Sequence, residues 1–301
     1  MSLTRRRFLT ITATITATAA ALPGASAAGP RRHWTGQALG ARTSIRLDHP
    51  DARAITGLCL AEIDRLENIL SLYRPDSALS ELNRTGRLDA PPFELLDCLS
   101  LAGAVHRASD GAFDVTLQPL WALWAEEAIR GRRPTEARRA AARSRTGWDR
   151  VTLDLGAITL QPGMALTLNG IGQGYVADRV AALLEAEGLT DILIDTGELR
   201  ALGDRPWPVR VADGRMPLAA RALATSAPRG TCFDAAGRDG HILDPRTAAP
   251  VASPWAQVTV SAPSAALADA LSTAACLMPD QGALDGLMAR FEGVRLVSST
   301  V

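Results

Sequence analysis

Three observations predict an α+β fold for this chain. Helical periodicity is concentrated in residues 51–145, whereas the chain from Trp148 to about residue 260 breaks into short apolar stretches. Those stretches are joined by tight, hairpin-like turns, at Gly156 and at Pro162-Gly163. The 301 residues, 47% of them hydrophobic, suffice for one full core, and no repeat, coiled coil or low-complexity linker divides them.

Taken in order, residues 41–47 alternate, with Thr43, Ile45 and Leu47 on one side and Arg42, Ser44 and Arg46 on the other, which predicts a half-exposed strand. Over 51–70 the apolar residues Ile55, Leu58, Cys59, Ile63, Leu66 and Leu70 form the stripe of an amphipathic helix. Ser77 is placed to cap a short helix through Asn83, and Pro91-Pro92 open a third helix that ends before Ser109. A helical run follows with Trp121 and Trp124 at i, i+3, a spacing that assigns both indoles to the core and not to a flavin-stacking face. Residues 130–145 are basic and polar without interleaved aromatics, the pattern of a solvated helix and loop with no nucleic-acid partner.

Strands are expected at 151–155, 157–160 and 164–168, then a helix over 175–187 stopped by Gly188. Further strands are expected at 191–195, 199–203, 208–211, 218–224 and 240–243. Two helices, 265–278 and 281–290, and a last strand at 294–298 complete the chain.

Charge and composition exclude several functions. The formal net charge is zero, so no general attraction to nucleic acid or anionic membrane is built in. All 32 basic residues are Arg; without Lys there is neither Schiff-base chemistry nor a P-loop lysine. Cys59, Cys98, Cys232 and Cys276 form no C-x-x-C and have no His at ligand spacing, which argues against zinc or haem. At the N-terminus, Thr4-Arg5-Arg6-Arg7-Phe8-Leu9 precedes a short apolar run and Ala25-Ser26-Ala27. That is the pattern of a twin-arginine export signal over residues 1–27, leaving 28–301 as a periplasmic domain delivered by the export machinery.

The chemistry-bearing residues lie in separated segments. His241-Ile242-Leu243-Asp244-Pro245-Arg246-Thr247 places imidazole, carboxylate, guanidinium and hydroxyl within seven residues and predicts a site rim. Asp269 and Thr273, at i, i+4, share a helix face; both would reach one hard cation, or the acid would serve a helix cap. Asn169-Gly170-Ile171-Gly172-Gln173-Gly174 approaches a dinucleotide-binding turn, but its glycines run G-x-G-x-G, one residue short of that fingerprint. Two readings of the turn stay open: backbone amides offered to an anion at a helix start, or a close-packed corner.

Together these segments resemble the ordered motif set of the ApbE family. The motifs are Ser71-x-Tyr73-Arg74-Pro75-x-Ser77 with Leu82-Asn83; Gly111-Ala112-Phe113-Asp114-x-Thr116-x-x-Pro119-Leu120; Asn169 to Tyr175 with Asp178; Ala224-Thr225-Ser226; His241 to Thr247; and Ala268-Asp269-Ala270-Leu271-Ser272-Thr273-Ala274. The resemblance implies a single ApbE-type, T-fold-like α+β domain with antiparallel or mixed sheets. It also implies an FAD:protein FMN transferase that splits FAD with Mg2+, joins FMN by a phosphoester to a Thr of an exported or membrane-bound acceptor, and releases AMP. By motif match, Asp269 and Thr273 would hold Mg2+ through side chains and Gly172 through its carbonyl. Tyr73, Ser77, Asn83, Asp114, Thr116, Gln173, Thr225, Ser226 and His241 would line the FAD pocket, with His241 and Asp269 catalytic.

The chain departs from the family pattern at Asn169, usually Asp, at Gln173, usually Lys or Glu, at a Gly pair near Gly197, and at Ala248, usually Gly. The Asn169 to Tyr175 and Asp195 to Gly203 variants, with the twin-arginine pattern, resemble the NosX branch, which implies a NosR-like acceptor flavoprotein. Two other readings compete: an exported flavin carrier or assembly factor without transferase activity, and a nicotinamide-dependent oxidoreductase built on the glycine turn.

Overall fold

A computed structural model of the chain describes residues 32–47 and 49–301; the expected signal at 1–27 lies outside the described residues. A hairpin of β1 (Arg32–Ala38) and β2 (Ala41–Leu47) is followed by α1 (Ala52–Leu70), α2 (Ala78–Thr85), β3 (Arg87–Asp89) and α3 (Phe93–Ala108). Next come α4 (Gln118–Ile129), α5 (Glu136–Arg143), β4 (Thr152–Leu153), β5 (Ala157–Thr159) and α6 (Gly172–Ala186). Then β6 (Leu193–Asp195), β7 (Leu199–Ala201), β8 (Trp207–Val211), β9 (Gly214–Leu218) and β10 (Ala222–Ser226). Last are β11 (Leu243–Asp244), β12 (Ala249–Pro250), β13 (Gln257–Ala262), α7 (Ala265–Ala275), α8 (Gln281–Met288) and β14 (Arg295–Thr300).

The main sheet has seven strands in the order β1-β2-β6-β7-β10-β13-β14, and every pairing among the described residues is antiparallel. Side chains alternate between its faces, as a two-residue period requires. Ala222 and Ala224 of β10, Ile194 of β6 and Val258 and Val260 of β13 enter the large core with α1, α6 and α7. Leu223 and Leu193 point the other way, onto Trp207, Val209 and Leu218 of the β8–β9 hairpin. Among the described residues no helix is long and apolar enough to cross a membrane.

The α+β expectation and the α1, α3, α7 and α8 positions match the structure, and four local expectations are corrected. Residues 164–168 form no strand, because the Asn83 side chain takes the strand partner's place: Leu166 N–H donates to its Oδ1 at 2.6 Å and its Nδ2 donates to Leu166 C=O at 2.8 Å. The expected strand 218–224 is split at Ala220, which turns with φ 48°, so its first half closes the β8–β9 hairpin and its second joins the main sheet as β10. Residues 240–243 contribute only a bridge from Gly240 to Cys232 and the start of β11. The helix expected at 175 begins at Gly172.

Strands β1, β3, β12 and β13, and β9 ahead of Leu218, were not anticipated; β13 carries its buried Val258-Thr259-Val260-Ser261 alternation through the middle of the core. All four cysteines are free, and Cys59, Cys98 and Cys276 are buried as small hydrophobes.

Candidate active site

A cleft of about 290 Å3 opens where the end of β10, the second turn of α7 and the loop entering α6 converge. Thr225 and Ser226 reach it because they end β10 beyond its apolar stretch, held by Thr225 Oγ1 to Thr259 Oγ1 at 2.9 Å. Ser264 caps α7 through Leu267 N–H, which sets the phase of the helix and turns Asp269 and Thr273 to the cleft. Ser226 Oγ lies 2.8 Å from Ser272 Oγ and 3.2 Å from Thr273 Oγ1, and a Cβ on Gly170 would come within 3.0 Å of Thr273 Oγ1. The floor is therefore oxygen-rich, with the backbone of the 167–170 loop pressed against it.

The glycine turn resolves toward close packing. A Cβ at Gly174 would lie 2.3 Å from the Ala265 carbonyl oxygen, so only glycine lets α6 meet the start of α7. Its amide is already engaged, donating to Asp269 Oδ2 at 3.3 Å.

Carboxylates dominate the electrostatics. Asp269 is 4% exposed, and burial pushes its pKa up to about 7, with the Gly174 N–H opposing and the Asp178 charge adding. Glu198, 8% exposed, is raised well above the usual carboxylate range by burial and then by the charges of Asp269 and Asp195. Asp114 is raised by burial against the N–H and hydroxyl of Thr116, both of which donate to its Oδ1. Three carboxylates thus face the cleft, and among the described residues no Arg borders it.

His241 enters from the opposite wall. Gly240 positions it: a Cβ there would fall 2.0 Å from the Pro228 carbonyl oxygen, and the bridge to Cys232 fixes the strand segment. His241 Nδ1 lies 3.1 Å from Thr231 C=O, and a carbonyl only accepts, so Nδ1 carries the proton and Nε2 of the neutral ring keeps a lone pair. Burial lowers the His241 pKa, opposed by the carbonyls of Thr231 and Pro228.

The seven-residue cluster around it divides. Asp244 is held by Arg246 Nε and Nη2, both at 2.9 Å, and Arg246 C=O accepts from Arg143 at 2.5 Å, so this pair locks its own turn and does not border the cleft.

Of the residues singled out from sequence, Tyr73, Asp114, Gln173 and Thr225 meet Ser226, His241, Asp269 and Thr273 in the cleft. Ser77, Asn83, Thr116 and Gly172 do not border it. Ser77 is buried, capping α2 and donating to Ser71 C=O at 2.5 Å. Asn83 clamps Leu166 and opens on a second hollow. Thr116 bridges Asp114 and the Gly147 N–H, orienting the Asp114 carboxylate from behind. Gly172 starts α6 with its N–H on Leu168 C=O at 2.7 Å.

Two cleft residues were missed. Trp124 is core, as expected, with Nε1 on Ala248 C=O, but Trp121 borders the cleft, edge-on to Phe233 at 5.7 Å. Glu198 had only a weak signal, a lone acid between Gly197 and an apolar strand.

A fit to a hard divalent cation is testable on these side chains. Asp269, Thr273 and Ser226 are oxygen donors grouped at one end of the cleft, and Glu198 Oε2 has no hydrogen-bond partner among the described residues. Oxygen donors with an uncompensated negative charge suit Mg2+ and not a soft metal.

The sequence model of the ApbE family matches residues 39–297. The FAD:protein FMN transferase of Salmonella typhimurium is 29% identical over 276 residues, covering 83% of this chain and 78% of that protein. The apo structure of Pseudomonas stutzeri flavinyl transferase ApbE superimposes with a TM-score of 0.77 at 28% identity, over 90% of this chain and 95% of that one. The ApbE protein of Thermotoga maritima gives a TM-score of 0.78 at 25% identity, over 89% and 94%.

Proposed function

The chain belongs to the ApbE family of flavin transferases, and on that premise we propose how the cleft works as an FAD:protein FMN transferase. The acceptor Thr hydroxyl attacks the FMN phosphorus of FAD, the bond from that phosphorus to the bridging oxygen breaks, and AMP leaves with that oxygen. The hydroxyl proton passes to the protein, and FMN stays on the acceptor through a phosphoester.

The observation that carries the cation requirement is the charge of the wall. Asp114, Glu198 and Asp269 border the cleft without an Arg among the described residues, so once these carboxyls ionise a pyrophosphate would be repelled from it unless a cation intervenes. Asp269 and Thr273 would hold Mg2+, with the backbone of the loop entering α6 beside them. Bound there, Mg2+ would offset charge on the pyrophosphate and on the leaving AMP. Thr225 and Ser226 donate hydrogen bonds to the phosphates, while Trp121 and Tyr73 give apolar area to the rings of the dinucleotide. His241, neutral with its lone pair on Nε2, takes the acceptor hydroxyl proton.

The acceptor is proposed to be an exported or membrane-bound flavoprotein of the NosR type, met in the periplasm. The support is the twin-arginine pattern at Arg5-Arg6 and the NosX-like variants around Asn169 and Gly197.

The test mixes the 28–301 protein with FAD, Mg2+ and a NosR-type acceptor domain, then looks for flavin fluorescence that survives a denaturing gel. A covalent band that EDTA abolishes and that requires the acceptor Thr is expected. Tight FAD binding with no band and no AMP, while another transferase labels the same acceptor, would overturn the reading in favour of a flavin carrier.

A further inference from the structure

Glu198 stands at the entry to β7, 8% exposed, with its carboxylate on the cleft. Its surroundings do not explain it as a structural acid. Oε2 has no hydrogen-bond partner among the described residues, and the Thr225 backbone N–H favours the ionised form against burial. The guanidinium two residues along, Arg200, is directed to Asp178 at 3.5 Å. The charges that reach Glu198 are those of Asp269 and Asp195, both of its own sign.

A buried, ionised carboxylate with an unpartnered oxygen facing another buried carboxylate is costly unless something positive lies between them. The arrangement is also costly to place by accident: Thr196, just ahead, is buried and tied through Oγ1 to Gln173 C=O at 2.9 Å, which fixes the segment against the start of α6. The polar surface that Glu198 shares is the one bearing Asp269, Thr273 and Ser226.

We infer that Glu198 is a second carboxylate for the divalent cation, opposite Asp269, and that the pair lets the cation bind before FAD does. The inference rests on the cation placed at Asp269 and Thr273 above. It adds a charge argument of its own: two carboxylates neutralise a divalent ion, so the site needs no phosphate to be balanced. With Asp269 alone, the ion would arrive chiefly with its substrate.

The experiment is a titration of the 28–301 protein with Mn2+, without FAD, following free Mn2+ by electron paramagnetic resonance. One tight site is expected in the wild type. E198Q, which keeps shape and removes charge, is expected to raise Kd tenfold or more, the scale on which metal-supporting groups act; D269N is expected to abolish the site. An unchanged Kd in E198Q beside a lost site in D269N would overturn the role of Glu198 while leaving the cation reading intact. Binding that survives in D269N, or that is absent in the wild type both with and without FAD, would overturn the cation reading itself. If E198Q does not melt cooperatively, E198D serves: it keeps charge at shorter reach, so an intermediate Kd is expected and a wild-type Kd would overturn the inference.

Discussion

Asp178 of α6 and Asp269 of α7 each accept hydrogen bonds from the first turn of the other's helix. Asp178 takes the N–H groups of Ala265 and Ala266, each at 2.8 Å, and Asp269 takes that of Gly174 at 3.3 Å. Each helix therefore supplies the negative group that the other's N-terminus favours, and the two are locked in register at the floor of the cleft. The arrangement makes Asp178 a positioning residue for the Asp269 site, although it does not border the cleft.

Replacing Asp178 by Asn would test this lock. The amide keeps one acceptor but turns an NH2 toward a backbone N–H, so one of the two caps is lost. The expected cost is about 1–2 kcal/mol of stability, read from denaturant unfolding. Mn2+ affinity should fall with it, since Asp269 is displaced; an unchanged Kd in a destabilised D178N protein would separate the cap from the site.

Gly174→Ala probes the same contact from the other side. The added Cβ meets backbone atoms of Ala265 and Ala266, which cannot swing aside as a side chain would. Overpacking of this kind costs roughly 1–3 kcal/mol, and flavin transfer should fall further than stability because α6 and α7 separate at the site. Gly57 is the control: it is exposed within α1, and a Cβ added there would meet nothing within 4 Å. Gly57→Ala should gain about 1 kcal/mol. Paired thermal melts of the two variants, with opposite signs, are the measurement.

Much of this register was legible in the sequence, and the reasons for success and failure are physical. The i, i+4 spacing of Asp269 and Thr273 lies on one helix, so local periodicity placed both on the cleft. Ser77 announced its cap for the same local reason. What was not legible depended on distant partners: Asn83 replacing a strand neighbour for Leu166, or Trp121 reaching the cleft while Trp124, against the same Phe233 ring, stays in the core. Glu198 was hidden because nothing beside it in the chain shows that Asp269 lies across from it. The Asp244–Arg246 pair misled in the opposite direction, since polar residues adjacent in sequence were satisfied by each other.

Ala248 stands in the left-handed region with φ 56°, in the turn between β11 and β12 where the family pattern has Gly. A Cβ in that region costs about 1 kcal/mol or more. The backbone is held there by Ala248 N–H on Asp244 C=O at 2.9 Å and by Trp124 Nε1 on Ala248 C=O. Ala248→Gly should therefore stabilise the protein by roughly 0.5–1 kcal/mol, the gain in strain exceeding the added freedom of the unfolded chain. A raised melting temperature with unchanged transfer is expected; a lowered one would show that the methyl group's packing outweighs the strain.

His241 sets a pH dependence whose sign follows from burial. Its folded pKa lies below the ordinary value of about 6.5, because burial disfavours the imidazolium more than the Thr231 and Pro228 carbonyls favour it. Between the two values the unfolded chain binds the proton and the folded protein does not. The contribution of His241 to stability is thus complete above the unfolded pKa and is lost as pH falls toward the folded one, with a slope of at most about 1.4 kcal/mol per pH unit. His241→Gln, whose amide still donates to Thr231 C=O, should flatten that part of a stability-pH curve and leave the region above pH ~7 parallel to wild type. The same depressed pKa keeps Nε2 free to take a proton in mildly acidic solution, where an ordinary imidazole would be charged. With Mg2+ saturating, so that the bound cation keeps Asp269 ionised, transfer by the wild type should accordingly persist below the pH at which free imidazole protonates, and a rate that still falls with a midpoint at or above the free-imidazole value would remove His241 as the base.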